Sequence, residues 1–173
     1  MTMGRSRWAK AGVTLLECLI GASILALAIT SLLDVVARHL ALNMHTRNLS
    51  WASIDASRVM ERMRQQNVGC TNPSVAAPLG FASWDAWLAD TGATGGGGKS
   101  LQVNPAANEF VAISQPPGAA NPIQVTVAIC WRDHQGRVLG ECQWNGVQLI
   151  PNDTNGDGVI SGLAMLSTLV TCR

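Results

Sequence analysis

The chain has 173 residues, of which 13% are charged, with a formal net charge of +1. That length suits one modest domain with a real hydrophobic core plus an appendage. The near-neutral balance removes the basic character on which nucleic-acid binding depends.

Residues 1–12 carry Arg5, Arg7 and Lys10 and no acid. From Val13 to Leu33 the single charge in 21 residues is Glu17. A helix of that length, rising ~1.5 Å per residue, crosses a ~30 Å hydrocarbon layer. The basic flank predicts a cytoplasmic N-terminus, with everything beyond about Asp34 outside the cytoplasm. A secretory signal peptide shares this start, but no small-x-small cleavage site with a break in composition follows the apolar run. Glu17 is the anomaly. An ionisable group at that depth is costly and marks function.

The first proline is Pro73, and no glycine falls among the 47 residues from Ala22 to Val68. One helix from about Val13 to Gln66, ~80 Å long, is therefore permitted. Its first half, residues 13–36, is apolar all round. The second, 37–68, is amphipathic: Ala52, Ala56, Val59, Met60 and Met63 share a face, and Asp55, Arg58, Glu61, Arg62 and Arg64 are expected elsewhere. The arginines around Glu61 read as a solvated face with i,i+3 pairing. Trp51 suits either the apolar face or a boundary anchor.

Residues 69–173 read as an extracytoplasmic, β-rich domain. Gly69 and Cys70 end the helix, and "TNPSVAAPLG" is a turn-rich linker. "SWDAWLAD" forms one or two helical turns capped by Ser83, with Trp84 and Trp87 three apart. "ATGGGGKS" (Ala93 to Ser100) fits a permissive phosphate-loop pattern. However, a helical turn precedes it and the strand-like "LQV" follows, the reverse of what a phosphate cradle needs. A flexible surface loop is the expectation. "EFVAIS" is a strand. "IQVTVAICW" alternates Ile123, Val125, Val127, Ile129 and Trp131, as a half-buried antiparallel strand does. "RDHQGR" turns the chain, "VLGECQW" returns, and Leu163 to Val170 is a last strand or a short helix.

Cys18 lies inside the apolar helix and reads as a small hydrophobe. Cys70, Cys130, Cys142 and Cys172 fall in the exported part, where an even number in an oxidising compartment predicts two disulfides with three pairings open. A two-residue Gln135-Gly136 turn sets Cys142 opposite Ile129 and Trp144 opposite Val127. A one-residue slip sets Cys130 opposite Cys142 but turns Glu141 and Gln143 onto the apolar face. Both registers stay open.

In "DTNGDGVISG", Asp153, Asn155, Asp157 and Gly158 occupy places 1, 3, 5 and 6 of a calcium loop, with the Val159 carbonyl and Ser161 at 7 and 9. The closing glutamate of such a loop is here Ala164. Calcium is the one cofactor the sequence raises, and none is required; the alternative is an Asx- and Gly-rich turn. His39, His45 and His134 build no catalytic arrangement, and no enzyme activity is expected.

"GVTLLE" resembles the type IV prepilin signature, with a glycine ending a basic leader, an apolar first mature residue, then Thr and Glu. The resemblance covers Arg5 to about Val36. "ASRVMERMRQQN" is similar, less specifically, to the minor pilins named for pilus modification (PilV-type). The resemblance implies cleavage after Gly12 by a prepilin peptidase, methylation of Val13, and pairing of Glu17 with the α-amino group of a neighbouring subunit. A carboxylate in hydrocarbon costs about 3 kcal/mol on insertion scales. A cation at ~4 Å returns about 4 kcal/mol at an effective dielectric near 20. Val13 stands where Phe or Met is commoner, and Asp34 where many major pilins carry a kinking proline.

The resulting expectation is an α+β, pilin-like chain. A long helix, half in the membrane, packs its other half on a small disulfide-closed antiparallel sheet. Its function would be that of a minor pilin, supporting pilus assembly, adhesion or twitching motility. Its partners would be the prepilin peptidase, other pilins and the inner membrane, with display outside after assembly. The alternatives are a minor pseudopilin of a type II secretion system and a membrane-tethered binding module.

Overall fold

The computed structural model describes residues 14–101, 103, 106–116, 121–133 and 135–172. The chain is α+β. Helix α1 (Leu15–Gln66) is unbroken over 52 residues, as a run without proline or interior glycine beyond Gly21 allows. The Thr14 hydroxyl accepts from the Glu17 N–H at 3.3 Å, a cap that opens the helix. The helix ends on Asn67, whose amide donates to the Met63 and Ser74 carbonyls (2.8 and 2.9 Å) and accepts from the Ser74 N–H at 2.7 Å. These bonds satisfy a carbonyl of the last turn and bind the linker to the helix end.

The chain divides into one unit up to Met44 and a second, His45–Arg173. In the second unit, α1 contributes the buried residues Ala52, Asp55, Ala56, Val59, Met60 and Met63. The stripe was expected; Asp55, expected on another face, belongs to it. Spacings of three and four residues put it in phase with Ala52 and Val59. Trp51 packs at the edge of this core, with the Arg47 guanidinium 4.9 Å over its ring.

Helix α2 (Trp84–Ala89) is capped by Ser83, which accepts from the Ala86 N–H at 3.0 Å. Trp84 and Trp87 meet edge to face at 5.6 Å and donate to the Val75 and Thr94 carbonyls. After a single 3-10 turn, Ala106–Asn108, come β1 (Glu109–Ser114), β2 (Ile123–Arg132), β3 (Val138–Leu139), β4 (Cys142–Trp144), β5 (Leu149–Pro151) and β6 (Ala164–Val170). Leu101 and Val103, expected in a strand, lie in irregular chain.

Strand β2 is the spine of a four-stranded antiparallel sheet. On one side Val111 of β1 faces Ile129; on the other β2 pairs with β6 (Ile129↔Ala164) and then β3 (Trp131↔Leu139). The alternating residues Ile123, Val125, Val127, Ile129 and Trp131 form the core against α1 and α2. The other face of β2 is not solvated as predicted. Ala128 and Cys130 are buried there with Ala112, Cys142, Leu149 and Ile160, because the two-stranded ribbon β4–β5 folds across it.

Neither predicted hairpin register occurs. Asp133 pairs with Arg137 through their backbones (2.9 Å), so three residues rather than two make the turn, and Cys130 falls opposite Gly140. At Gly140 the returning strand breaks: β3 stays in the main sheet and β4 crosses to the ribbon. Gly140 has φ +105°, and a Cβ there would lie 2.8 Å from the Cys130 sulfur. Glycine is what this crossing needs. The disulfide Cys130–Cys142 then spans strand and ribbon, and Cys70–Cys172 joins the end of α1 to the end of β6, with Cα atoms 6.2 and 5.2 Å apart. Cys18 is free and exposed.

Candidate functional site

From Leu15 to Leu33 α1 presents apolar surface that no described residue covers. Every described residue from Thr14 to Arg47 is exposed, including Leu15, Ile20, Ile24, Leu27 and Leu33. The helix is long and apolar enough to cross a membrane. Its hydroxyls turn inward onto its own carbonyls: Ser23 to Leu19 at 2.8 Å, Thr30 to Leu27 at 3.0 Å and Ser31 to Ala28 at 2.9 Å. Polar groups satisfied within the helix do not oppose transfer into hydrocarbon.

Glu17 stands in the first turn of α1. Among the described residues no ion pair reaches its carboxylate. The next charge along, Asp34, pairs with Arg38 at 2.9 Å and leaves the helix continuous where a proline would kink it. Gly12 and Val13, the expected cleavage residues, lie outside the described residues, as does His134.

The Asp153–Ser161 loop binds its own backbone. The Asp153 carboxylate accepts from the Gly156 and Gly158 N–H groups at 2.7 Å each, Asn155 from Asp157, and Asp157 from Val159. Across from it the Glu141 carboxylate accepts from the Ser161 N–H at 2.8 Å and from the Thr154 hydroxyl at 3.3 Å. Ala164 opens β6 in register with Ile129. Among the described residues no group of three His, Cys, Asp or Glu side chains comes together to hold a metal ion.

A polar cluster that sequence reasoning missed sits where α1 meets the sheet. Asp55 is wholly buried, pairs with Arg58 at 2.7 Å and accepts from the Ser100 N–H at 2.7 Å. Arg58 also donates to the Gly96 and Gly98 carbonyls (2.6 and 2.9 Å) and to the Ser100 hydroxyl. The glycine run, expected to be a free surface loop, is thus pinned to the helix. It packs so closely that a Cβ on Gly96 would lie 2.7 Å from the Leu88 Cα. Arg58 is also removed from the solvated face expected for it.

Lys99 carries the cluster to β1. Its ammonium pairs with Asp85 at 2.8 Å and donates to the Glu109 carbonyl at 2.7 Å, while Asp85 accepts from the Val111 N–H. The outer edge of β1 is thereby closed by side chains, which blocks pairing with another strand. Glu109, 2% exposed, lies among them. Burial pushes its carboxyl up to about 8; Lys99 pulls it down, and Asp55 and Asp85 add to the rise. The signal was present in the sequence: Glu109 alternates in phase with Val111 and Ile113, the inward residues of "EFVAIS".

No family model, curated protein or solved structure matches the chain.

Proposed function

We propose that the chain is a minor subunit of a type IV pilus, made as a membrane-anchored precursor and built into the filament after its leader is removed. One observation carries this reading. A single helix of 52 residues is exposed among the described residues and apolar from Leu15 to Leu33, apart from Glu17 in the first turn, and is buried on one face over its second half. A simple anchor needs the apolar run but has no use for a carboxylate inside it. A subunit that packs among like helices does, because the acid can meet the α-amino group of a neighbour and set the axial register.

The exported domain supports the same reading. Two disulfides and a double-layered core suit display outside the cell. Under this reading the chain waits in the inner membrane with its N-terminus in the cytoplasm, and its partners are a prepilin peptidase and other pilins. Its work is structural, in assembly, adhesion or twitching motility, and requires no cofactor.

Intact mass and N-terminal sequencing after expression with and without a prepilin peptidase test the proposal. The expected product lacks Met1–Gly12 and carries one added methyl group on Val13. A chain that keeps its leader beside active peptidase is a tethered module and ends the proposal. A processed chain found only with a secretion apparatus is a pseudopilin.

A further inference from the structure

Most lysines reach into water, but the Lys99 side chain is only 8% exposed. Its Nζ lies 2.8 Å from Asp85 Oδ1 and donates to the Glu109 carbonyl at 2.7 Å. The Val111 N–H donates to the same Asp85 oxygen at 3.1 Å. A nitrogen is thus held beside a carboxyl group, one bond from its carbon, and two backbone groups of β1 fix the positions of both partners. Glu109 is 2% exposed, with Trp131, wholly buried, opposite it in register on β2. Neither of its carboxyl oxygens meets a donor from the surrounding protein. A buried carboxyl without donors is stable only when it carries its proton. Burial agrees, holding Glu109 at about 8 although Lys99 pulls it down. An ordinary ion pair has no use for a neutral acid at its side. An amine, a carboxyl group held against it and a proton carrier are what amide formation needs.

We propose that Lys99 and Asp85 condense into an isopeptide bond, with Glu109 carrying the protons that the reaction moves. The ammonium first gives a proton to the Asp85 carboxylate, leaving a free amine beside a carboxylic acid. Nζ attacks Cγ of Asp85, and Glu109 protonates the carbonyl oxygen as the C–N bond forms. Glu109 then takes the surplus proton from nitrogen and passes it to the hydroxyl that leaves as water. The remaining hydroxyl proton returns to Glu109, which ends as it began, beside a neutral amide. One C–N bond replaces one C–O bond, one water departs, and no oxidant, reductant or cofactor enters. Well-oriented neighbours react at effective molarities of about 10⁵–10⁸ M, so a condensation that free groups in water do not complete proceeds here. The bond ties α2 to the end of the glycine loop along the edge of β1. Unlike the two disulfides it withstands reductants. It does not depend on the pilus reading.

Intact mass of the reduced full chain, with tryptic mapping, is the test, and K99R and E109Q are measured beside the wild type. The wild type is expected to weigh one water less than its sequence, whether or not its leader is removed. Its digest should contain a branched peptide joining the residues around Asp85 to those around Lys99, uncut after Lys99. K99R keeps a cation for Asp85 but no nucleophilic amine, so it should show its full mass. E109Q fills the same space without a transferable proton and should also stay unjoined. Joining in E109Q as complete as in the wild type overturns the role given to Glu109. A wild-type chain at its full sequence mass overturns the bond, and that result requires no variant to fold. A missing water without the branched peptide marks a succinimide elsewhere and overturns it equally.

Discussion

Asp133 shows how one side chain sets the geometry of a turn. Its carboxylate accepts from the Gln135 and Arg137 N–H groups (2.9 and 2.8 Å) and from the Arg137 guanidinium at 3.2 Å. Partial burial works against ionisation, but the bonds from Arg137 and Gln135 prevail and hold the carboxyl below its usual 3.8. A depressed carboxyl contributes stability that is present above its unfolded value and lost as pH falls through its folded one. Replacing Asp133 with Asn is therefore expected to cost about 1 kcal/mol at neutral pH. Thermal melts of the two proteins should converge in strong acid. A constant difference at every pH would assign the loss to packing instead.

Glu109 and Asp55 teach a different lesson at the same scale. Both lie in phase with apolar neighbours, so their burial was legible in period and spacing. The groups that meet them were not, because Ser100, which donates to Asp55, and Lys99, which donates to the Glu109 carbonyl, come from a separate loop. Arg58 hid for the same reason. Read along the helix it belongs to a charged face, and only the approach of the glycine run supplies acceptors for it.

At the scale of elements, the two disulfides do unequal work. Cys70–Cys172 closes a separation of 102 residues, against 12 for Cys130–Cys142. The larger loop removes more freedom from the unfolded chain, on the order of 4–5 kcal/mol against about 3 in the chain-entropy account. Serine at both Cys70 and Cys172 is expected to lower the unfolding midpoint more than serine at both Cys130 and Cys142, as read by denaturant titration. The reverse order would show that the β4–β5 ribbon depends on its bridge for packing. The position of that ribbon was not predictable from alternation. Alternation shows which residues share a face of β2, but not whether a later strand returns to cover the other. The break at Gly140 decided that, and with it the cysteine pairing.

At the scale of the whole molecule, the proposed role makes Glu17 a group for assembly rather than for folding. Its carboxylate is exposed and lies far in sequence from the core residues of α1. Under that role, Glu17→Ala is expected to leave the proposed leader cleavage and the melting of the unit beyond Met44 unchanged. Its recovery in sheared pili relative to membranes should fall by more than about tenfold, since a buried pairing of about 4 kcal/mol is lost. Immunoblots of the two fractions read this directly, and undiminished recovery would contradict the proposed pairing.

The long helix, its buried stripe from Ala52 to Met63, the strands β1 and β2, and the Ser83 cap were written in local pattern; β6 was left open between strand and helix. Periodicity, capping and the absence of breakers act over a few residues, and the chain needs no distant contact to express them. The cysteine pairing, the three-residue turn at Asp133, the pinned glycine loop and the buried ion pair Asp55–Arg58 came only from the folded chain. Each depends on which segments meet across the core, and that choice rests on the summed packing of the whole domain rather than on any neighbourhood of the sequence.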